Sequence, residues 1–531
     1  MPGSLGVATL TEFVVVEVDL FGVDMQLPAL FRSLVVALVL PLSAFAADPQ
    51  NIIVVVGDGM GVQALGLHQL YAERVAKQST QIERMEESGT LGLVAVHAPT
   101  TLVNDSACSA TQLASGAGCS PETLGLDLDG NSIQNVAEQA AQCGKRIGLV
   151  TDTRVTHATP AAFYSHRIDR DSENHIADDL LSSKVDVILG GGLRHFIDRD
   201  GEWDGVPSKS RRTDRRDLLA AAKAAGFRTV HTRQALANES AEKVIGLFAD
   251  NGLADGVAIA NKRAAKREPS LPELTQAALR LLPRGERGMF LMVEAGQIDW
   301  AEHANDAGWL IQEMIKFDAT LKEVLDFQDR HPHTLVIVTA DHSTGGFGLS
   351  YSAFDVPPPT TLPSGALFAP DFNFGRASTI RKLLTQERTL TQIVREFADL
   401  PLTERKPESL QSLVERYTAF SLSRESAARV LDVRPNRFYR EGHADFGFKE
   451  GPRCDDLDAF YPELPKYGPG PLIAKALSEQ QGVVWATGTH TSEPVPIFAR
   501  GPGQERFRGM MHMREVGNVV KGLVADHCSN R

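Results

Sequence analysis

The chain has 531 residues, 43% of them hydrophobic, and a formal net charge of -13. A chain of this length and apolar content buries a large core, either as one domain with insertions or as several domains. The acidic balance excludes a sequence-independent nucleic-acid binder, which needs a basic face to neutralise phosphates, so any phosphate handling is local.

From Met25 the chain reads "MQLPALFRSLVVALVLPLSAFAADPQ", with one arginine (Arg32), an apolar run from Leu34 to Leu42 and a small-residue cleavage pattern at Ala44-Phe45-Ala46. That is the pattern of a secretory signal peptide. Glu12, Glu17, Asp19 and Asp24 have the wrong charge for a signal n-region, which points to Met25 as the start of translation. The apolar run is shorter than a bilayer span, which weighs against an uncleaved anchor, and no later segment is long and apolar enough to cross a membrane. The expectation is an exported protein, periplasmic or secreted.

After the leader, "NIIVVVGDGMG" is a β-branched run ending in Gly-Asp-Gly, as in a strand buried on both faces and closed by a tight turn. The same design recurs in "RIGLVTDT", "VDVILGGG", "GMFLMVEAG" and "HTLVIVTADH". Helical patterns lie between them. "NSIQNVAEQAAQCGKR" stops at Gly144, "TDRRDLLAAAKAAGF" is expected to be capped by Thr213 and to end at Gly226, and "SLPELTQAALRLL" opens with a Ser270/Glu273 capping box. Buried strands alternating with helices predict an α/β fold, a mostly parallel central sheet sandwiched by helices. Ligands gather at the carboxyl ends of such strands.

The rhythm breaks after Gly346, where "DVPPPTTLPSG", "PDFNFGRAS", the helical "ESLQSLVERYTAF" and "YPELPKYGPGPL" follow one another, before "GVVWAT" and "VPIFARGPG" return to the core pattern. The predicted organisation is a leader and signal peptide at 1–46, a catalytic core at 47–344, an insertion subdomain at 345–482 and a return to the core at 483–531. Five cysteines (Cys108, Cys119, Cys143, Cys454, Cys528) do not make a disulfide framework in so long a chain. At most two pairs form, and without a C-x-x-C a thiolate zinc site is disfavoured. Cys108 reads as a small helix-packing residue rather than a reactive thiol.

Three apolar runs finish on carboxylates: Asp58, Glu294 and Asp341. A buried carboxylate is costly unless paired or bound to a metal, so a cluster at one sheet edge asks for cations. In "QIDWAEHAND", Asp299 and His303 lie four apart and share one face of a helix, while Asp341 and His342 are adjacent at a strand end. Mixed Asp/His sites without cysteine suit catalytic zinc. In "VNDSACSATQLASGAG", Ser106 precedes a small-residue run able to start a closely packed helix. Ser106 is either a plain N-cap or a hydroxyl activated by the helix dipole and a nearby metal, without need of a histidine base. No G-x-S-x-G elbow is present.

Taken in order, "VVVGDGMG", "DSACSATQLASGAG", "HATPAAFYSHRIDR", "MVEAGQIDWAEHAND", "VTADHSTGG" and "GTHTSEPVPIFARGPG" resemble the alkaline phosphatases. The resemblance spans about residues 50 to 346 and returns near 483. It implies Ser106 as a nucleophile that becomes phosphoserine, one zinc on Asp299, His303 and His490, and a second on Asp58, Asp341 and His342. It further implies a magnesium between Asp58, Glu294 and Thr159, with Arg170 clamping the phosphate and Asp105 beside the nucleophile. His157 and Trp300 stand where some bacterial members have Asp and Lys. That pairing is similar to marine and cold-adapted bacterial enzymes, some of which carry a large insertion.

Arg170 competes with Arg167 in "HRIDRDSE", His490 competes with His443 in "EGHADFGF", and Thr159 before Pro160 also suits simple turn chemistry. Gly190-Gly191-Gly192 lacks the Lys-Ser/Thr of a phosphate loop and reads as a strand-ending turn. The resemblance implies a metal-dependent phosphomonoesterase acting on small phosphate monoesters, a homodimer in which the insertion overhangs the site or clasps a partner, with no nucleic-acid partner and no membrane after signal cleavage. The alternatives are a phosphodiesterase or sulfatase-like relative, and a non-catalytic metal- or phosphate-binding protein.

Overall fold

The β-branched runs do pair side by side. In a computed structural model that describes residues 48–529, apart from 284, 444–445, 456–457, 463 and 465–467, they build one ten-stranded sheet. The leader, the signal peptide and Met25 lie outside the described residues. The strands are β1 (Asn51–Gly57), β2 (Thr90–Ala95), β3 (Arg146–Arg154), β4 (Val187–Gly191), β5 (Arg228–Val230), β6 (Val244–Leu247), β7 (Met289–Ala295), β8 (Thr334–Thr339), β9 (Val495–Arg500) and β10 (Gly509–His512). Their order is β10-β2-β9-β8-β1-β7-β3-β4-β6-β5, and β9 alone runs antiparallel to its neighbours. Every residue of β1, β7 and β8 is buried, as expected of a parallel sheet covered on both faces.

The helices that matter for the site are α1 (Val62–Tyr71), α2 (Ser106–Ser115), α3 (Val136–Gln142), α4 (Leu218–Ala224), α5 (Leu271–Leu281), α6 (Gln297–His303), α7 (Ala307–Arg330) and α8 (Met513–Ser529). The predicted Ser270/Glu273 capping box forms at α5, and α3 carries a second one from Asn135 and Glu138. One cap is corrected. Helix α4 is capped by Asp217, not Thr213, because Asp214 is drawn to Arg212 and Arg215 takes a left-handed φ of 57°, which stops the helix from starting earlier.

The small residues after Ser106 have a packing reason. All ten residues of α2 are buried. A Cβ on Gly517 of α8 would lie 2.3 Å from the Gln112 carbonyl oxygen, and one on Gly116 would lie 2.2 Å from Asn518 Oδ1, so the two helices meet backbone to backbone. Disulfides pin this corner, Cys108 to Cys119 beside α2 and Cys143 to Cys528 between the ends of α3 and α8. Cys108 is therefore corrected from a packing residue to a disulfide partner; Cys454 stands outside both bonds.

Between β8 and β9 the chain leaves the sheet and forms the helices Ala377–Leu384, Leu390–Asp399, Pro407–Tyr417, Arg424–Val430 and Gly470–Gln481. Two short ribbons bring it back, Gly348–Leu349 against Val483–Val484 and Ser343–Thr344 against His490–Thr491. The second ribbon sets Thr344 opposite His490 and so closes the site. The excursion also touches that loop directly, since the Phe460 carbonyl accepts from Gly488 N–H at 3.0 Å and from Thr487 Oγ1 at 2.8 Å.

Candidate active site

The carboxyl ends of β1, β7 and β8 place Asp58, Glu294 and Asp341 together, each fully buried. Gly59 makes this possible: its φ of 75° suits glycine, and a Cβ there would lie 2.8 Å from the Asp299 Cα. Among the described residues three groups of side chains bring their ligand atoms within 4.8 Å of one another: Asp299, His303 and His490; Asp58, Asp341 and His342; and Asp58, His157 and Glu294.

The hydrogen-bond pattern around the imidazoles fixes their tautomers. A carbonyl oxygen only accepts, so His303 Nδ1 donates to Gly488 O at 2.7 Å and His490 Nδ1 donates to Asn104 O at 2.9 Å. Thr344 Oγ1 donates to Asp299 Oδ1 at 2.7 Å and accepts from His342 Nδ1 at 3.3 Å. Each neutral ring then turns an Nε2 lone pair inward. The Nε2 atoms of His303 and His490 face one another at 3.2 Å, while Asp299 oxygens lie 3.3 and 3.7 Å from them. Acceptors crowd acceptors.

The second group repeats the arrangement. His342 Nε2 lies 3.3 Å from Asp341 Oδ2 and 3.6 Å from Asp58 Oδ1, and both of these buried oxygens lack a hydrogen-bond partner. The other Asp341 oxygen is held by the Gly59 and His342 N–H groups at 3.1 and 2.9 Å. Burial and the neighbouring acids Asp341, Asp299 and Glu294 push Asp58 well above the usual carboxylate range. Burial and Asp299 push Asp341 up to about 6. Burial drives His342 and His490 down to about 4, which leaves both imidazoles neutral at neutral pH. Unpartnered oxygens and inward lone pairs in a dry setting fit divalent cations.

In the third group, Glu294 accepts from the hydroxyls of Thr151 and Thr153, and from His157 Nδ1 at 3.4 Å. Against the pull of burial, His157 and these two threonines hold Glu294 below its ordinary range. Thr159 Oγ1 donates to Asp58 Oδ2 at 3.4 Å, linking the second group to the third. His157, expected beside this group, stands within it. Trp300 is half-buried against the core, edge-on to His157 at 6.1 Å and 5.9 Å from the Arg154 guanidinium.

Ser106 is the first residue of α2, and its Oγ lies 3.1 Å from His342 Nε2. It is not the helix cap. That role falls to Asp105, whose Oδ1 accepts from the Cys108 and Glu122 N–H groups at 3.1 and 3.0 Å. Asp105 Oδ2 accepts from Arg170 Nη1 at 2.8 Å, and the charge of Arg170 reaches Asp58 and His342. Arg167 turns away to a fork on Asp179, and His443 lies in an exposed stretch against Phe446. Sequence reading missed Thr344, Thr151, Thr153, Asn104 and Gly488. Thr344 was the reachable one, being two residues beyond His342 in the same strand-end motif, while the two backbone carbonyls left no trace in side-chain chemistry.

The alkaline phosphatase family model matches residues 49–368. The chain belongs to the alkaline phosphatase family. It is accordingly an enzyme, a phosphoric monoester hydrolase of a metal-dependent family, and its three acidic and imidazole groups are candidate metal sites. Among relatives, it is 31% identical to alkaline phosphatase 3 of Bacillus subtilis over 487 residues, 89% of each chain, and 29% identical to alkaline phosphatase 4 of the same organism over 482 residues, 89% of this chain and 88% of the other. The Thermus thermophilus alkaline phosphatase structure superposes with a TM-score of 0.71 at 26% identity, covering 91% of this chain and 96% of that one. A cold-active alkaline phosphatase from Shewanella sp. shares the fold with a TM-score of 0.67 at 23% identity, covering 89% and 99%.

Proposed function

We propose that the enzyme hydrolyses small phosphate monoesters through a phosphoserine formed on Ser106, with two zinc ions and one magnesium ion as its cofactors. The observation that carries this reading is the position of Ser106 Oγ, 3.1 Å from the inward Nε2 of His342 at the edge of two cation-binding groups. Asp299, His303 and His490 would hold one zinc, Asp58, Asp341 and His342 the second, and Asp58, Glu294 and Thr159, with His157, the magnesium. Bound there, such ions lower the pKa of a coordinated hydroxyl and neutralise charge on the attacking and leaving oxygens.

The chain's own groups do the rest. His342, whose Nδ1 is turned to Thr344 and whose Nε2 belongs to the second cation group, would have no lone pair left to act as the base for Ser106 once that ion is bound. Asp105 holds Arg170 beside Ser106, where the guanidinium fork can meet two non-bridging phosphate oxygens. Thr344 keeps Asp299 and His342 in register.

Export to the periplasm or beyond is supported by the signal-like leader and by two disulfides, which persist in oxidising compartments. Among the described residues no helix is long and apolar enough to cross a membrane. A homodimer clasped by the insertion is supported by the exposed aromatic stretch around Tyr351, Phe354, Phe368, Phe372 and Phe374. The test of function is metal analysis of the purified protein together with rates on aryl phosphate, bis-aryl phosphate and aryl sulfate, before and after chelation. Aryl phosphate should be the best substrate, with its turnover abolished by chelation and strongly reduced in Ser106→Ala. Faster turnover of the diester or sulfate, or full activity without metal, refutes the reading.

A further inference from the structure

A buried ionic cluster lies behind the cation groups, on residues the reaction does not touch. At the end of β3 the side chains of Thr151, Asp152 and Thr153 alternate in direction, as strand geometry requires. Thr151 and Thr153 point to Glu294, and Asp152 points the other way. Asp152 Oδ1 accepts from Gly296 N–H at 2.8 Å, and its main-chain carbonyl accepts from Gln297 Nε2 and Leu253 N–H at 3.0 and 2.9 Å. Asp152 Oδ2 is 2.8 Å from Lys316 Nζ of α7, which also pairs with Glu313. Glu313 in turn accepts from Gly256 N–H and Trp309 Nε1 at 2.6 and 2.7 Å. Asp152, Glu313 and Lys316 are 1%, 0% and 7% exposed.

Gly296 is the hinge between Glu294, a residue of the third cation group, and α6, which carries Asp299 and His303 of the first. It has no slack. A Cβ there would lie 2.4 Å from Thr153 Cγ2 and 3.0 Å from Glu294 Cδ. The strand end thus grips the hinge on both sides, through the two threonines on Glu294 and through Asp152 on the peptide that follows.

We propose that Asp152, neutralised by Lys316, is a positioning residue that fixes the first turn of α6 and thereby the spacing between the cation group at Glu294 and the one at Asp299, His303 and His490. Burying two carboxylates beside one ammonium is unfavourable unless each makes further bonds; Glu313 finds its own on Gly256 and Trp309, and Asp152 finds its own on the hinge peptide. The proposal rests on the metal reading above but concerns a residue outside every cation group.

The experiment titrates zinc and magnesium into chelator-stripped full-length protein against a competing chelator, with thermal unfolding of the stripped protein alongside. Asp152→Ala removes the bond to Gly296 and should weaken cation affinity by about 10–100-fold, the range seen when groups that orient metal ligands are lost. The double variant Asp152→Asn with Lys316→Met keeps an acceptor for Gly296 but removes the Asp152–Lys316 ion pair, leaving Glu313 on the Gly256 N–H and Trp309 Nε1, and should stay within about threefold of the unaltered protein, below that range. Wild-type affinity in Asp152→Ala, or a double variant as weak as Asp152→Ala, overturns the proposal. If Asp152→Ala does not fold, Asp152→Ala with Lys316→Met removes the same bond to Gly296 without stranding the ammonium and should lose about tenfold; unaltered affinity there also overturns it. Unaltered protein that takes up no cation refutes the metal reading itself, and the proposal with it.

Discussion

Thr344→Val is the most informative single change at the site. Thr344 is fully buried, and its hydroxyl makes two bonds, a charge-assisted one to Asp299 at 2.7 Å and a neutral one from His342 Nδ1 at 3.3 Å. Valine keeps the shape and the β-branch that suit the ribbon opposite His490, so the loss is confined to those bonds. Their usual worth is about 1.5–3 and about 0.5–1.5 kcal/mol, and both orphaned partners belong to cation groups, one to each. At about 1.4 kcal/mol per tenfold, that corresponds to zinc retention weakened by about 10–100-fold at the Asp299 group and about 2–10-fold at the His342 group. Competition of the apo-protein against a zinc chelator measures it directly. Thr344→Ser, which restores the hydroxyl, should recover most of the affinity. Zinc affinity in Thr344→Val equal to that of the unaltered protein would show that the hydroxyl does not orient Asp299 and His342, and the tautomer argument would fail.

Ser106→Ala should lower turnover of aryl phosphate by roughly 10³-fold or more while zinc content is kept, and acid-quenched protein should carry no phosphoserine. Arg170→Lys keeps the charge but loses the planar fork, so the inhibition constant for inorganic phosphate should rise by about tenfold with cation content unchanged; an unaltered constant argues against a phosphate clamp. His68 of α1, 4% exposed, has its imidazole driven down to about 4 by burial. It is neutral in both folded and unfolded chains above about pH 6.5, so its effect on stability is absent there and grows as pH falls and the unfolded chain takes up a proton. Between pH 8 and pH 5 it should cost about 2 kcal/mol, and in chelator-treated protein His68→Phe should flatten the acid-side decline of the unfolding midpoint; parallel pH profiles would contradict this. Removing the Cys143–Cys528 bond, which joins residues 385 apart, should cost about 2–5 kcal/mol in thermal unfolding while leaving kcat near its starting value.

The β-branched runs are legible as strands because a sheet covered on both faces leaves little freedom in residue choice, and Asp58, Glu294 and Asp341 are legible because a charged residue closing an apolar run needs an unusual reason. The pairs Asp299/His303 and Asp341/His342 were local enough in sequence to be read as ligands. Helix α4 shows where local pattern runs out: its start was set by Asp214 turning to Arg212 and by the left-handed Arg215, neither of which a capping rule sees.

Residue chemistry alone determined the class of fold and named the acids and imidazoles that gather as candidate cation groups, since burying such groups is costly unless they are paired or bound to a metal. What the linear order could not hold is which separated residues meet. His490 reaches His303 only because a ribbon folds Thr344 onto it, Arg170 is chosen over Arg167 by the reach to Asp105, and Asp152 matters only because Lys316 lies across from it in space. Those assignments depend on distances between parts of the chain up to hundreds of residues apart, and electrostatic and hydrogen-bond energies depend on distance in space rather than along the backbone.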